Sequence, residues 1–212
     1  HAVYTELQRV KKASKLKVVT TMGDVAASGG YYIASASDVI VANPSTLTGS
    51  IGVIAQMSNW QGLFHKIGVS STVIKSGKHK DIGSPFRPMT AEEKKILQAI
   101  IDNTYDQFLE AVSKGRKMPK QKVKELADGR IYTGSQALEH RLVNKLGDYT
   151  EALDILKKLA DLPKKPVIEH YGKGTLNNFL SVLGQANPLS SVQTLTPQGM
   201  FHLNKVPLML YL

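Results

Sequence analysis

One short run in the 212-residue chain has the residue types and spacing for nucleophilic chemistry: Gly23-Asp24-Val25-Ala26-Ala27-Ser28-Gly29-Gly30-Tyr31-Tyr32. A serine hydroxyl attacks a carbonyl only when a neighbouring base takes its proton. It is best presented on a tight strand-to-helix turn, which exposes Oγ and aims backbone N–H groups at a developing oxyanion. Small residues crowd the approach to Ser28, and Gly29 and Gly30 remove bulk where a substrate backbone would pass. A Gly-rich turn built only for close packing has the same composition. The base is open between two residue types. Of His1, His65, His79, His140, His170 and His202, only His79 sits in a Gly/Pro loop, where a lone histidine is more often a solvated surface residue. A lysine serves only when neutral, a form that burial favours. Lys80 lies between Gly77 and Gly83, in a loop able to bend into a cleft. Taken alone, it reads as one more exposed lysine.

The elements that must position these residues alternate between strand and helix. Leu7 and Val10 recur among charged residues, which predicts a helix over 4–15. The β-branched run 16–22 predicts a buried strand leading towards Ser28. A helix is expected over 31–37, packed by Ile33, Ala34 and Ala36, and a buried strand over 38–42. Residues 43–50 read as turn, 51–57 as strand, 59–67 as a short helix ended by Gly68, and 69–75 as strand. This alternation predicts an α/β architecture. The stretch 76–89 holds two glycines and two prolines and is expected as loop. Thr90-Ala91-Glu92-Glu93 then has the pattern of a capping box. It opens a long amphipathic helix to about Lys117, striped by Ile96, Leu97, Ile100, Ile101, Tyr105, Phe108, Leu109 and Val112. Shorter helices are expected at 120–127, 134–140, 150–160 and 176–183, and a strand at 167–171.

Composition narrows the function classes. Apolar residues make up 42% and charged residues 21%, an ordinary globular balance that argues against disorder. The net charge of +10 is spread along the chain, which describes a Lys-rich surface, and no nucleic-acid partner is expected. Cysteine is absent, so disulfides, thiolate nucleophiles and Cys-based zinc sites are excluded. No apolar stretch approaches the ~20 residues of a spanning helix, and no signal peptide opens the sequence. His1 begins in what reads as mid-helix, which suggests a fragment or a processed form.

Four blocks in order resemble the signal peptide peptidase A family. The Ser28 run is similar to its nucleophile motif, and Thr48-Gly49-Ser50-Ile51-Gly52-Val53 to its next block. Ser76-Gly77-Lys78-His79-Lys80-Asp81 resembles its lysine block, and Gly129-Arg130-Ile131-Tyr132-Thr133-Gly134 its downstream signature. Glu139 to Gly147 continues the match. The resemblance covers about residues 17–160, and together the blocks are specific although each is weak alone.

The resemblance implies a crotonase/ClpP-like α/β fold, here without its N-terminal strands and with additional C-terminal helices. It implies a Ser/Lys dyad that hydrolyses peptide bonds without metal or cofactor. Ser28 would be the nucleophile and Lys80 the general base, with Lys78 the less well aligned rival. Ser50 would hydrogen-bond the lysine amine; alone, it would read as a turn hydroxyl bonding its own backbone. The Gly29 N–H would serve the oxyanion, and the family's second donor comes from an upstream Gly-rich turn not found in this sequence. Substrates would be signal-peptide remnants and other unfolded apolar segments. The enzyme would work as a homo-oligomer, membrane-associated on the extracytoplasmic side through a segment absent here. Residues 1–183 are expected to form the peptidase domain, N-terminally incomplete, and 184–212 a polar linker with an apolar tail. That tail could add as a strand in a substrate groove or in a neighbour's sheet. Competing readings are a caseinolytic-type peptidase, which needs a histidine base, a crotonase-type acyl-CoA enzyme, and a non-catalytic oligomeric scaffold.

Overall fold

The computed structural model describes residues 1–163, 167–169 and 208–211. In chain order its elements are α1 (Ala2–Ser14), β1 (Val18–Met22), β2 (Val25–Ala27), α2 (Gly29–Ala34), β3 (Val39–Ala42), β4 (Leu47–Gly49) and α3 (Gln61–Lys66). These are followed by α4 (Ala91–Arg116), α5 (Lys120–Leu126), β5 (Ile131–Thr133), α6 (Gly134–Glu139), β6 (Lys145–Leu146), α7 (Tyr149–Leu159) and β7 (Leu208–Tyr211).

β1 is buried at every position, the pattern of a strand covered on both faces. It pairs in parallel with β3, Val19 opposite Val39, and β3 pairs in parallel with β6. On its other edge β1 takes β7 in parallel, Val18 opposite Leu208, giving the order β6-β3-β1-β7. Strand alternation sends Val19 and Val41 to one face, where Ala152 and Leu156 of α7 cover them. Met22, Ile40 and Ala42 belong to the main core with Tyr31, Ile51, Phe108, Leu109 and Val112. A second sheet, β2-β4-β5, joins β2 to β4 in parallel and β4 to β5 antiparallel. The α/β class read from the sequence is borne out.

α4 begins with the expected capping box. Thr90 accepts from the Glu93 N–H, the Glu93 carboxylate accepts from the Thr90 N–H, and the helix ends at left-handed Lys117. Its C-terminal half is core, with Phe108, Leu109, Ala111 and Val112 buried, whereas Ile96 and Ile100 are exposed. The half near α2 packs so tightly that a Cβ at Gly115 would lie 1.8 Å from the Ser35 carbonyl oxygen.

Several expectations are corrected. Residues 51–57 and 69–75 form no strand. An extended segment becomes a strand only by pairing, and among the described residues none pairs with either. Beyond Ile51, which joins the core, large apolar side chains here face outward: Ile54 is 83% and Ile74 97% exposed, and Trp60, Leu63 and Ile67 on the intervening helical segment are exposed as well. The strand lies instead at β4, inside the stretch read as turn. β2, in the second sheet, leads into Ser28 rather than β1. Residues 167–169 have no regular structure. The rest of that expected strand, the helix at 176–183 and the linker from 184 lie outside the described residues. Of the tail, 208–211 joins this chain's own sheet. No helix among the described residues is long and apolar enough to cross a membrane.

Candidate active site

Ser28 occupies the sharp corner between β2 and α2. Its backbone, at φ 51° and ψ −113°, lies where an L-residue is strained, and such strain persists only when the surroundings enforce it. They do so here on both sides. The Ser28 N–H donates to the Gly49 carbonyl at 2.8 Å, and its own carbonyl accepts from the Tyr32 N–H at 2.8 Å. α2 is pinned by buried Tyr31, whose hydroxyl donates to the Leu142 carbonyl at 2.8 Å. Burial pushes that phenol well above its ordinary pKa. Gly29 takes the first helical position, where an N–H has no intrahelical partner. A Cβ on Gly29 would meet nothing within 4 Å.

Ser50 stands beside this corner. β2 and β4 run parallel in register, Ala27 opposite Gly49, so Ser28 and Ser50 each follow the last paired residue of adjacent strands. Adjacent strands lie about 4.8 Å apart. Ser50 also has a positive φ, 48°. Two strained serines therefore share the carboxyl end of two parallel strands, the side on which open α/β sheets bind their ligands. Neither hydroxyl makes a hydrogen bond among the described residues.

The downstream signature builds the shelf under Ser50. The Ser50 N–H donates to the Arg130 carbonyl at 2.8 Å. Gly49, at φ 75°, admits the Tyr132 ring, which a Cβ there would meet at 2.6 Å. The Tyr132 hydroxyl donates to the Leu126 carbonyl at 2.9 Å. Thr133 caps α6 through a box with Gln136. A Cβ at Gly134 would lie 1.9 Å from the Asn43 carbonyl oxygen.

Lys80 lies in a separate turn, residues 76–84, closed by backbone bonds from Lys80 to Gly77, Ile82 to His79 and Ser84 to Asp81. This turn is tied to the first turn of α4. Lys78 and His79 both pair with Glu92, the latter at 3.3 Å. Asp81 receives Arg87 through Nε and Nη2, each at 2.9 Å, and Lys75 at 2.6 Å. Arg87 also donates to Glu93, from Nη1 at 2.9 Å and from Nη2. The Arg87 guanidinium, then Lys75, hold the Asp81 carboxyl far below the usual carboxylate range. Arg87, helped by the Thr90 N–H, holds Glu93 at about 2. The two carboxylates in turn raise Arg87 above its ordinary value.

The Lys80 side chain is exposed and makes no hydrogen bond or ion pair among the described residues. The burial that a neutral amine calls for is thus not supplied by those residues, and among them no hydrogen bond joins Lys80 to Ser28 or Ser50. The fold brings Ser28, Ser50 and Gly29 together on one sheet end, while Lys80 belongs to a different turn. Arg87 and Glu93, the braces of the lysine turn, carried no site signal in the sequence beyond the capping box. A groove of about 310 Å³ of mixed character, lined by Ala55, Met57, Met89, Leu97 and Ile101 together with Lys94 and Gln98, opens near this turn, since Met57 also lies against Gly83. A larger cavity of about 480 Å³ between α4 and α5 shares no residue with the site.

Comparison with known proteins adds independent findings. Residues 10–163 match the family model described as peptidase family S49. A Synechocystis sp. protein with a provisional protease name is 49% identical over 160 residues, covering 76% of this chain and 57% of the relative. An Enterococcus faecium protein provisionally named signal peptide peptidase SppA is 44% identical over 173 residues, covering 79% and 50%. The chain spans about half the length of these curated relatives. Among solved structures, the 1510-N membrane-bound stomatin-specific protease with a substrate peptide superposes with a TM-score of 0.47 at 17% identity, covering 87% of this chain and 77% of that one.

Proposed function

The chain belongs to peptidase family S49, and from that premise we propose that it is a serine endopeptidase with Ser28 as nucleophile and Lys80 as general base. The observation that carries this reading is the enforced corner at Ser28, set beside Ser50 with neither hydroxyl partnered among the described residues. The Lys80 amine, when neutral, takes the Ser28 proton as Oγ attacks the peptide carbonyl. The oxyanion is met by the Gly29 N–H. The ammonium then protonates the leaving amine, and water hydrolyses the acyl-enzyme with the same amine as base. Ser50 orients the amine. Within the lysine turn, Lys78 and His79 are engaged by Glu92, which favours Lys80 over both.

We propose further that the amine acts on Ser28 of a neighbouring copy. Phe108 of α4 packs at a tilt against Tyr32 of α2, one turn from Ser28, and Glu93 braces the lysine turn at the far end of the same helix. At 1.5 Å per residue these two points on α4 are about 22 Å apart. The exposure of Lys80 and of the apolar arm around Ile54, Trp60 and Ile74 supports a homo-oligomer in which a neighbour covers both and expels water. The substrates proposed are unfolded apolar peptides, signal-peptide remnants among them, at the extracytoplasmic face of a membrane. The exposed apolar residues Ile54, Trp60 and Ile74 and the name of the Enterococcus relative support that choice.

The test is hydrolysis of an apolar peptide with products identified by mass. Ser28→Ala and Lys80→Ala are each expected to lower turnover by at least about 10³-fold with melting temperature preserved, and Lys78→Ala to keep it. Wild-type turnover in Lys80→Ala would remove the dyad.

A further inference from the structure

We infer that Arg87 is a positioning residue for the Lys80 amine, acting with Asp81 and Glu93 as a brace between the lysine turn and the first turn of α4. The inference rests on Lys80 being the base. An exposed arginine ion pair ordinarily contributes little to a fold, but this one is built differently. The guanidinium fork is filled on two sides by carboxylates, each receiving two of its N–H groups. Glu93 is 2% exposed and also closes the capping box, so Arg87 is referenced to the helix backbone itself. Arg87 Nη2 further donates to the Asp81 main-chain carbonyl at 3.2 Å, which fixes the backbone as well as the carboxylate.

Lys80 is the residue this arrangement frames. The residue before it, His79, is held by Glu92, and the residue after it, Asp81, by Arg87 and Lys75. Glu92 lies on the first turn of α4, and Arg87 is tied to that turn through Glu93. The peptide units on either side of Lys80 are therefore referenced to a 26-residue helix, while its side chain is exposed and makes no hydrogen bond or ion pair among the described residues. A long flexible lysine presented from a loose loop would sample many orientations. A braced turn delivers the amine to a reacting hydroxyl from a fixed origin, and a misplacement of about 1 Å can cost on the order of 10²-fold in rate.

The experiment compares full-length wild type, Arg87→Met, Asp81→Asn and Lys80→Ala by amide hydrogen exchange and by kinetics on one apolar peptide. In Arg87→Met the amides of Lys80, Ile82 and Ser84 are expected to exchange about tenfold faster, with the rest of the chain unchanged. Its kcat should fall about 100-fold, KM staying within about twofold and oligomer size preserved. Asp81→Asn breaks the brace on the turn side and leaves the α4 cap whole, so it should show the same kcat loss even if Arg87→Met fails to fold. Unchanged exchange with unchanged kcat, or a loss confined to KM, overturns the brace. Wild-type turnover in Lys80→Ala would instead refute the base, and the exchange data would still decide whether Arg87 holds the turn.

Discussion

Replacing Ser28 by glycine should make the protein more stable than replacing it by alanine, against the usual order in which glycine is the weaker residue. Both substitutions remove Oγ, which has no hydrogen-bond partner among the described residues, so neither forfeits a bond. They differ in Cβ. At φ 51° and ψ −113° an alanine keeps the strain of the corner, of order 1–3 kcal/mol, and glycine releases it. Glycine loses more backbone freedom on folding, which costs roughly 0.5–1 kcal/mol. The balance favours Ser28→Gly by about 1–2 kcal/mol, or about 4 °C in melting temperature for a domain of this size. Urea titrations of the two variants, with thermal melts as a check, measure the difference. Equal stabilities, or a more stable Ser28→Ala, would mean that the corner is relaxed in the folded protein and that the argument from strain to nucleophile is wrong.

Other consequences follow from the packing and the charges. Gly115→Ala places a methyl against the Ser35 carbonyl, where 1.8 Å is available. It should cost about 3 kcal/mol in denaturant titration by prising α4 from α2. Thr90→Ala removes half of the capping box and should cost about 1 kcal/mol, with amides in the first turn of α4 exchanging faster. Glu93 is held at about 2 when folded, below its unfolded value, so its contribution is present above about pH 4 and is lost as pH falls towards 2. The stability difference between wild type and Glu93→Gln, followed by thermal melts, should be flat from pH 7 to about 4.5 and shrink below.

What the sequence made legible was local. The box at Thr90 and Glu93, the periodicity of α4 and the β-branched runs at β1 and β3 are written in neighbouring residues, and each element formed where expected. The Ser28 corner was legible only in part, since small residues and glycines also suit a close-packed turn, and the strand entering it is β2 rather than the run at 16–22. β4 was hidden because three residues of Leu-Thr-Gly say nothing until β2 and β5 flank them. Residues 51–57 and 69–75 misled in the opposite sense, having strand composition without a partner. The pairing of Ser28 with Ser50 depends on a parallel register between segments far apart in the chain. Arg87 looked like any loop arginine because its two carboxylates converge only once the turn is folded against α4.

Mixing Ser28→Ala with Lys80→Ala protein tests the proposed division of labour most directly. Each variant should be silent alone, and on co-assembly one copy's Ser28 should meet another's Lys80. Random pairing of the two subunit types in a symmetric assembly should restore roughly a quarter of wild-type peptide hydrolysis. Wild-type hydrolysis by the Lys80→Ala protein alone, or a mixture that stays silent although the two variants are shown to co-assemble, would contradict it.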